Sequence, residues 1–337
     1  MGKKYKILTC AGFGYTGSSI ISDFLSEFDN VAMPAGSSEL RFLHDFGGVS
    51  TLEDALVHNY HKQSSDGAIH QFLKLVDYYS GNFINKKYNR WFDGKYKEIS
   101  LEFINDITNV KWSAAIETTW MYKPVIERIF YYQIYSRIKR FLCGGGELSR
   151  FYPSGDFYYS CPEKEYFEEC VRKYLNNLFS IIDPNHSKEY LYFDQLVPPT
   201  NVNRYLCYFD DIKVIVVDRD PRDLYIQNKY RVKATWIPSN LNDFIKLYRE
   251  QRKNIVKDPQ NNKILRVNFE QAIYHYKEFS KQVMDFVGLT EKQHATPKLK
   301  FDPSISINNT QLWKKYEIPS TIIRQIENEL GEYCYNF

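Results

Sequence analysis

A chain of 337 residues is long enough for one α/β domain with a large insertion, or for two small domains. Its 44 Lys and Arg stand against 41 Asp and Glu, a formal charge of +3, which excludes the general basic field with which a protein grips nucleic acid. The cysteines, Cys10, Cys143, Cys161, Cys170, Cys207 and Cys334, form no CxxC pair, and no histidines are spaced as ligands on a helix. That pattern points to reduced thiols and no zinc or other metal site.

In chain order, Met1-Gly2-Lys3-Lys4-Tyr5 leads into the apolar run Lys6–Ala11, which ends in a glycine-rich turn and reads as a first strand rather than a signal peptide. A second strand is expected at Val31–Met33. Residues 51–182 then read as mostly helical, rich in Tyr and Phe and without strand candidates. The clearest helix there is Lys123 to Leu142, closed by Cys143-Gly144-Gly145-Gly146. Strands follow at Tyr190–Phe193, Lys213–Val217 and Ile264–Phe269. Ser239 is expected to cap a helix through Arg252, and a terminal helix runs from Pro319 through Leu330 with Ile322, Ile323 and Ile326 inward.

Five strands alternating with helices predict an α/β fold, a mostly parallel five-stranded sheet with helices on both faces. The expected organisation is a single α/β domain over 1–337. Its core comprises residues 1–50 and 183–337, and residues 51–182 form a helical, aromatic-rich insertion suited to binding an acceptor. Any single Tyr there reads as packing, but together the rings beside a ligand site make a platform for sugars or apolar acceptors. No stretch approaches the roughly 20 apolar residues of a membrane span, and without an anchor the expected location is cytoplasmic.

Two turns carry the chemistry. Gly12-Phe13-Gly14-Tyr15-Thr16-Gly17-Ser18-Ser19 follows the first strand, where backbone N–H groups and three hydroxyls can meet an anion at a helix start. It fits a dinucleotide fingerprint, for which Glu39 lies at the distance of the ribose-binding acid. It equally fits a phosphate loop with Ser18 in the lysine's place, for which Asp218 is the candidate magnesium ligand. The second turn, Arg219-Asp220-Pro221-Arg222-Asp223, puts a fixed positive charge just after the buried strand Lys213–Val217.

The pair resembles the 5′-phosphosulfate loop and the 3′-phosphate motif of sulfotransferases that use 3′-phosphoadenosine-5′-phosphosulfate (PAPS), of the P-loop type found in bacterial carbohydrate and polysaccharide sulfotransferases. Tyr15-Thr16-Gly17-Ser18-Ser19 matches the family's loop except at its first position, where a lysine or arginine is usual. Arg219-Asp220-Pro221-Arg222-Asp223 matches throughout. Ile264-Leu265-Arg266-Val267-Asn268-Phe269-Glu270, with a helix to Gly288, resembles a later segment. Ser306-Ile307-Asn308-Asn309 with Leu312-Trp313-Lys314 resembles the loop over the adenosine end. The likeness covers about residues 5–45 and 190–330.

The resemblance implies transfer of a sulfuryl group from PAPS to a hydroxyl, taken here as one of a carbohydrate, without a metal. Its nucleotide-binding residues would be Gly14, Tyr15, Thr16, Gly17, Ser18, Ser19, Arg219, Gln227, Asn309, Trp313 and Lys314. Gln227 stands where a serine usually helps hold the 3′-phosphate. With Tyr15 neutral, the cation at the leaving group falls to Lys314 or Arg222. Ser38-Glu39-Leu40-Arg41-Phe42-Leu43 resembles the stretch that supplies the base in heparan-type members, which makes Glu39 the base and Arg41 its orienting partner. His44, Asp45 and Asp194 are the alternatives for the base. Two further functions stay open: a nucleotide-binding relative without transfer, and an ATP-dependent phosphotransferase.

Overall fold

The structure, a computed structural model, describes residues 5–34, 39–114 and 123–337. The chain forms two compact units, one of Met1–His44 with Leu175–Phe337 and one of Asp45–Tyr174.

The first unit is built on a five-stranded sheet of β1 (Lys6–Gly12), β2 (Val31–Ala32), β5 (Tyr190–Asp194), β6 (Ile212–Asp218) and β7 (Ile264–Asn268), in the order β2-β5-β1-β6-β7. Every pairing is parallel: Ile7 stands opposite both Leu191 and Ile212, Val31 opposite Tyr190, and Val214 opposite Ile264. All five expected strands are present within a residue or two of their expected ends.

A parallel sheet must be covered on both faces, which is why β1, β5 and β6 are apolar at successive positions rather than alternating. Leu8, Cys10, Tyr192, Ile215 and Val217 face the helix Ser19–Leu25 and the helices Phe269–Tyr274 and Tyr276–Val287. On the other side Phe193 stacks on Phe179, ring centroids 4.6 Å apart. A second apolar cluster joins Leu224, Tyr225 and Ile226 to Phe244, Ile245, Tyr248, Ile326 and Leu330.

The cap of the helix Leu241–Lys253 is Asn240, not Ser239: its side chain accepts from the amides of Asn242 and Asp243 at 2.9 and 3.2 Å. Gly288 closes the helix before it in the left-handed conformation, φ +93°.

In the second unit the helices Lys62–Ser80 and Tyr96–Ile107 pack through aromatics. Phe72 meets Phe103 edge-on, and Phe103 stacks on Tyr174 at 4.8 Å. The expectation that this mostly helical segment holds no strand is corrected here. An antiparallel ribbon joins β3 (Val110–Ala114) to β4 (Gly155–Tyr159), with Val110 opposite Tyr159. Each strand is five residues long and the partners are far apart in sequence, so no hairpin turn announces them. Two buried polar residues of the first helix pin the ribbon: Asp66 accepts from the amide of Tyr158 and Ser65 from that of Ser160. Among the described residues, no helix is long and apolar enough to cross a membrane.

Candidate functional site

β1 sends the chain to β2 on one side, and β6 sends it to β7 on the other. The carboxyl ends of β1 and β6 therefore flank the switch point at which open α/β sheets bind ligands. Both glycine loop and Arg219 lie there.

The loop folds tightly. Gly17 has φ +85°, and a Cβ on it would stand 2.4 Å from the ring of Phe269, so only glycine lets that ring close beneath the turn. Tyr15, a non-glycine residue, is also left-handed at φ +53°. The following helix, Ser19–Leu25, is a short one of seven residues, and the amides of Ile20 and Ile21 already bond the carbonyls of Gly17 and Ser18. Anion binding thus falls to the loop's own groups more than to a helix dipole.

Gln195, at the end of β5, staples the loop. Its Oε1 accepts from the amide of Gly12 at 3.3 Å, while its Nε2 donates to Ser18 Oγ at 3.1 Å. Thr16 is buried, and its hydroxyl has no partner among the described residues. A buried hydroxyl without a bond is costly unless a ligand completes it.

The Arg219–Asp223 turn divides into four tasks. Arg219, 4% exposed, donates from Nη1 to the carbonyl of Tyr15 at 3.1 Å and from Nη2 to the carbonyl of Asn309, and its Nε is unpartnered among the described residues. Burial lowers its pKa, and neighbouring Arg231 adds to that, against the opposing pull of Asp223 and Glu270. Asp220 caps the helix Pro221–Ile226 and accepts from the amide of Tyr335. Arg222 bonds Asp220 at 2.6 Å and Glu327 at 2.8 Å beneath the ring of Trp313, 4.0 Å from its centroid. Asp223 accepts from the amides of Gln311 and Leu312, fixing the segment that carries Asn309, and burial lifts it to about 6 despite Arg219.

Beside Arg219, Arg231 donates to Gln227 Oε1 at 2.9 Å and to Asn309 Oδ1 at 2.8 Å. Two guanidinium groups are thus gathered around two neutral amides. Like charges held together in this way repel unless an anion bridges them. The sequence singled out Arg219, Gln227 and Asn309, which the structure brings together, but not Arg231, which joins them. Its one signal was its place four residues after Gln227, on the same side of a helical turn.

On the other side of the loop lies a crevice of about 640 Å³, lined by Gly12–Tyr15, Ser18, Glu39, Arg41, His44, Gln195, Pro198–Thr200, Trp236 and Gln251. Glu39 and Arg41 line this crevice together with the loop. Glu39 forms a parallel bridge to Asp194, and the amide of Leu40 bonds the carbonyl of Asp194 at 2.9 Å. Glu39 itself is exposed, whereas Asp194 is bonded by the Cys10 thiol at 2.8 Å and by Gln195. Burial raises Asp194, and the Glu39 charge raises it further. His44 Nε2 donates to the carbonyl of Gln195 at 2.9 Å, which places its proton on that nitrogen. Asp45 belongs to the second unit, where it accepts the hydroxyl of Tyr79. Ser38 lies outside the described residues.

Trp236, unremarked in the sequence, stacks on Tyr15 with centroids 5.3 Å apart and packs against Gly14, where a Cβ would come within 2.1 Å of its ring. It is 62% exposed at the crevice rim.

Four residues that the sequence offered for the site sit elsewhere. Lys314 is exposed and bonded to Gln311 at 2.7 Å, outside the crevice lining. Trp313 is packed on Arg222 and Phe337, and Arg222 is held by two carboxylates, so neither is directed to the loop. Asp218, the candidate magnesium ligand, is ion-paired with Arg252 at 2.7 Å and accepts from the amide of Arg219. Arg252 is itself sandwiched between Phe13 and Tyr248.

No protein-family description and no curated protein sequence matches the chain. Solved structures that resemble it include the sulfotransferase domain of the Synechococcus PCC 7002 olefin synthase, at 11% identity and a TM-score of 0.42 over 100% of this chain and 98% of that one. A sulfotransferase from Mycobacterium avium aligns at 10% identity and TM-score 0.38 over 98% and 77% of the two chains. Retinol dehydratase, solved with androsterone and the inactive cofactor PAP, aligns at 12% and 0.38 over 99% and 82%. Activity has to be argued from the residues of the switch point themselves.

Proposed function

We propose that the protein is a PAPS-dependent sulfotransferase acting on a hydroxyl of a carbohydrate acceptor. The observation that carries this reading is Arg219: a buried guanidinium, its Nε unpartnered among the described residues, tied to the glycine loop on one side and on the other to Asn309, which Arg231 also bonds. A nucleotide with phosphate groups at both 5′ and 3′ positions has an anion for each place. Thr16, Gly17, Ser18 and Ser19, with the backbone of Gly14 and Tyr15, would hold the 5′ side. Arg219, Arg231, Gln227 and Asn309 would hold the 3′-phosphate, and Trp313 and Lys314 are left out of the set.

When bound, PAPS supplies an activated sulfuryl group on a bisphosphate leaving group. Glu39, exposed on the crevice beside the loop, takes the proton from the acceptor hydroxyl. Arg41 brings positive charge into the same crevice, which compensates for the neutral Tyr15 at the position of the family's cation. Gln195 keeps Ser18 oriented, and the Tyr15–Trp236 pair offers flat aromatic surface to a sugar ring.

The pairing of Asp218 with Arg252 weighs against a magnesium-dependent phosphotransferase. Tyr15 is the one observation that favours the second reading, a nucleotide-binding relative without transfer. Incubation with ³⁵S-labelled PAPS, chelator and an oligosaccharide panel separates the two. Chelator-resistant label on a sugar supports the proposal; tight nucleotide binding with no labelled product on any acceptor favours the second reading.

A further inference from the structure

The second unit carries an exposed apolar surface along one helical run. The helical run from Val125 to Leu142 passes from Val125–Arg128 through a π-helical stretch, Ile129–Tyr135, into Ser136–Leu142. Only Tyr132 and Ser136 along it are buried. Tyr132 meets Tyr152 edge-on at 5.3 Å, and the Ser136 hydroxyl reaches the carbonyls of Tyr131 and Phe151 at 2.6 and 3.0 Å. Those contacts anchor one side of the run.

The other side is apolar and open among the described residues. Ile126, Phe130, Ile134 and Ile138 recur every fourth residue, a spacing that aligns them along a helix, and they are 47–81% exposed. Phe141 at 84% and Leu142 at 76% extend the stripe. A water-facing surface rarely leaves so many large apolar side chains contiguous, and such patches mark interaction sites.

Charge selects the partner. Arg128, Arg137, Lys139 and Arg140 lie on the run against the single acid Glu127, which is already paired with Lys123 at 3.0 Å. A second copy seated on the stripe would bring these cations against their own kind. An anionic bilayer offers hydrocarbon to the stripe and phosphate to the cations. Tyr131 and Tyr135 have the apolar ring and polar tip that suit the headgroup level.

We propose that Val125–Leu142 is an interfacial helix that seats the protein on an anionic phospholipid surface, lying in its plane rather than crossing it. The proposal stands independently of the sulfotransferase reading. The test is co-sedimentation of the purified full chain with phosphatidylcholine vesicles, with and without phosphatidylglycerol. Wild type should bind the anionic vesicles preferentially, and less so as salt rises.

Replacing Ile126→Asp together with Phe141→Asp should weaken that binding at least about ten-fold. Lys139→Glu with Arg140→Glu should abolish the preference for phosphatidylglycerol. Should the apolar double variant melt below wild type, Phe141→Ser alone reads the same loss at the most exposed position of the stripe. Absence of vesicle binding by wild type would overturn the proposal. So would undiminished binding by the variants, or a wild-type dimer that the apolar variant splits without any vesicle binding.

Discussion

Arg219 Nη1 donates to the carbonyl of Tyr15 at 3.1 Å, so the charged end of β6 and the glycine loop of β1 are one connected structure. The bond crosses the switch point of the sheet. It explains why a left-handed Tyr15 is held in place: its carbonyl is turned to a buried guanidinium.

Arg219→Ala should therefore weaken adenosine 3′,5′-bisphosphate by about 2–5 kcal/mol, as loss of a desolvated charge partner does, while adenosine 5′-monophosphate loses much less. Isothermal titration of both ligands checks this. Equal losses would assign Arg219 to loop support alone.

Arg231 is exposed and bonded only to neutral amides among the described residues. Arg231→Gln should cost roughly 1–2 kcal/mol in bisphosphate affinity and flatten its salt dependence, leaving the monophosphate unchanged. Titrations at two ionic strengths measure both effects; an unchanged salt slope contradicts the role.

The strands and the two turns that end β1 and β6 were legible in the sequence because each rests on local chemistry. β-branched apolar runs announce buried parallel strands, and glycines with hydroxyls announce a turn that meets anions. Long-range arrangement was not legible. Nothing near Trp236 in sequence places it on Gly14, and nothing near Gln195 says that it bonds Ser18 and Gly12. Arg222 and Trp313 looked like ligand contacts but stack on each other, because a motif's residue types do not reveal which are spent on folding. The ribbon of β3 and β4 was hidden by its short strands and the long chain between them.

Glu39→Gln should preserve nucleotide affinity and lower turnover by about 10²–10⁴-fold, the usual loss of a general base. Steady-state rates beside bisphosphate titration decide. Normal turnover would move the search for the base to His44, Asp45 and Asp194.

Glu270 is fully buried, and burial raises its carboxyl from 4.5 to about 8. The folded state then keeps a proton that the unfolded state sheds. The stability from this group is complete below about pH 4.5 and lost as pH rises through about 8. Glu270→Gln should remove a slope of at most about 1.4 kcal/mol per pH unit across that window. Urea denaturation at several pH values from 5 to 9 measures it; parallel pH profiles for the two proteins would contradict the assignment.

On the proposed function, the two turns hold a nucleotide phosphorylated on both sides of its ribose. The most direct measurement is isothermal titration of the wild-type protein, in chelator, with adenosine 3′,5′-bisphosphate, adenosine 5′-monophosphate and ATP, and then with ATP and magnesium. The bisphosphate should bind tightest, at least about ten-fold above the monophosphate, and need no metal. Strong binding of ATP with magnesium, with no heat from the bisphosphate, would contradict it.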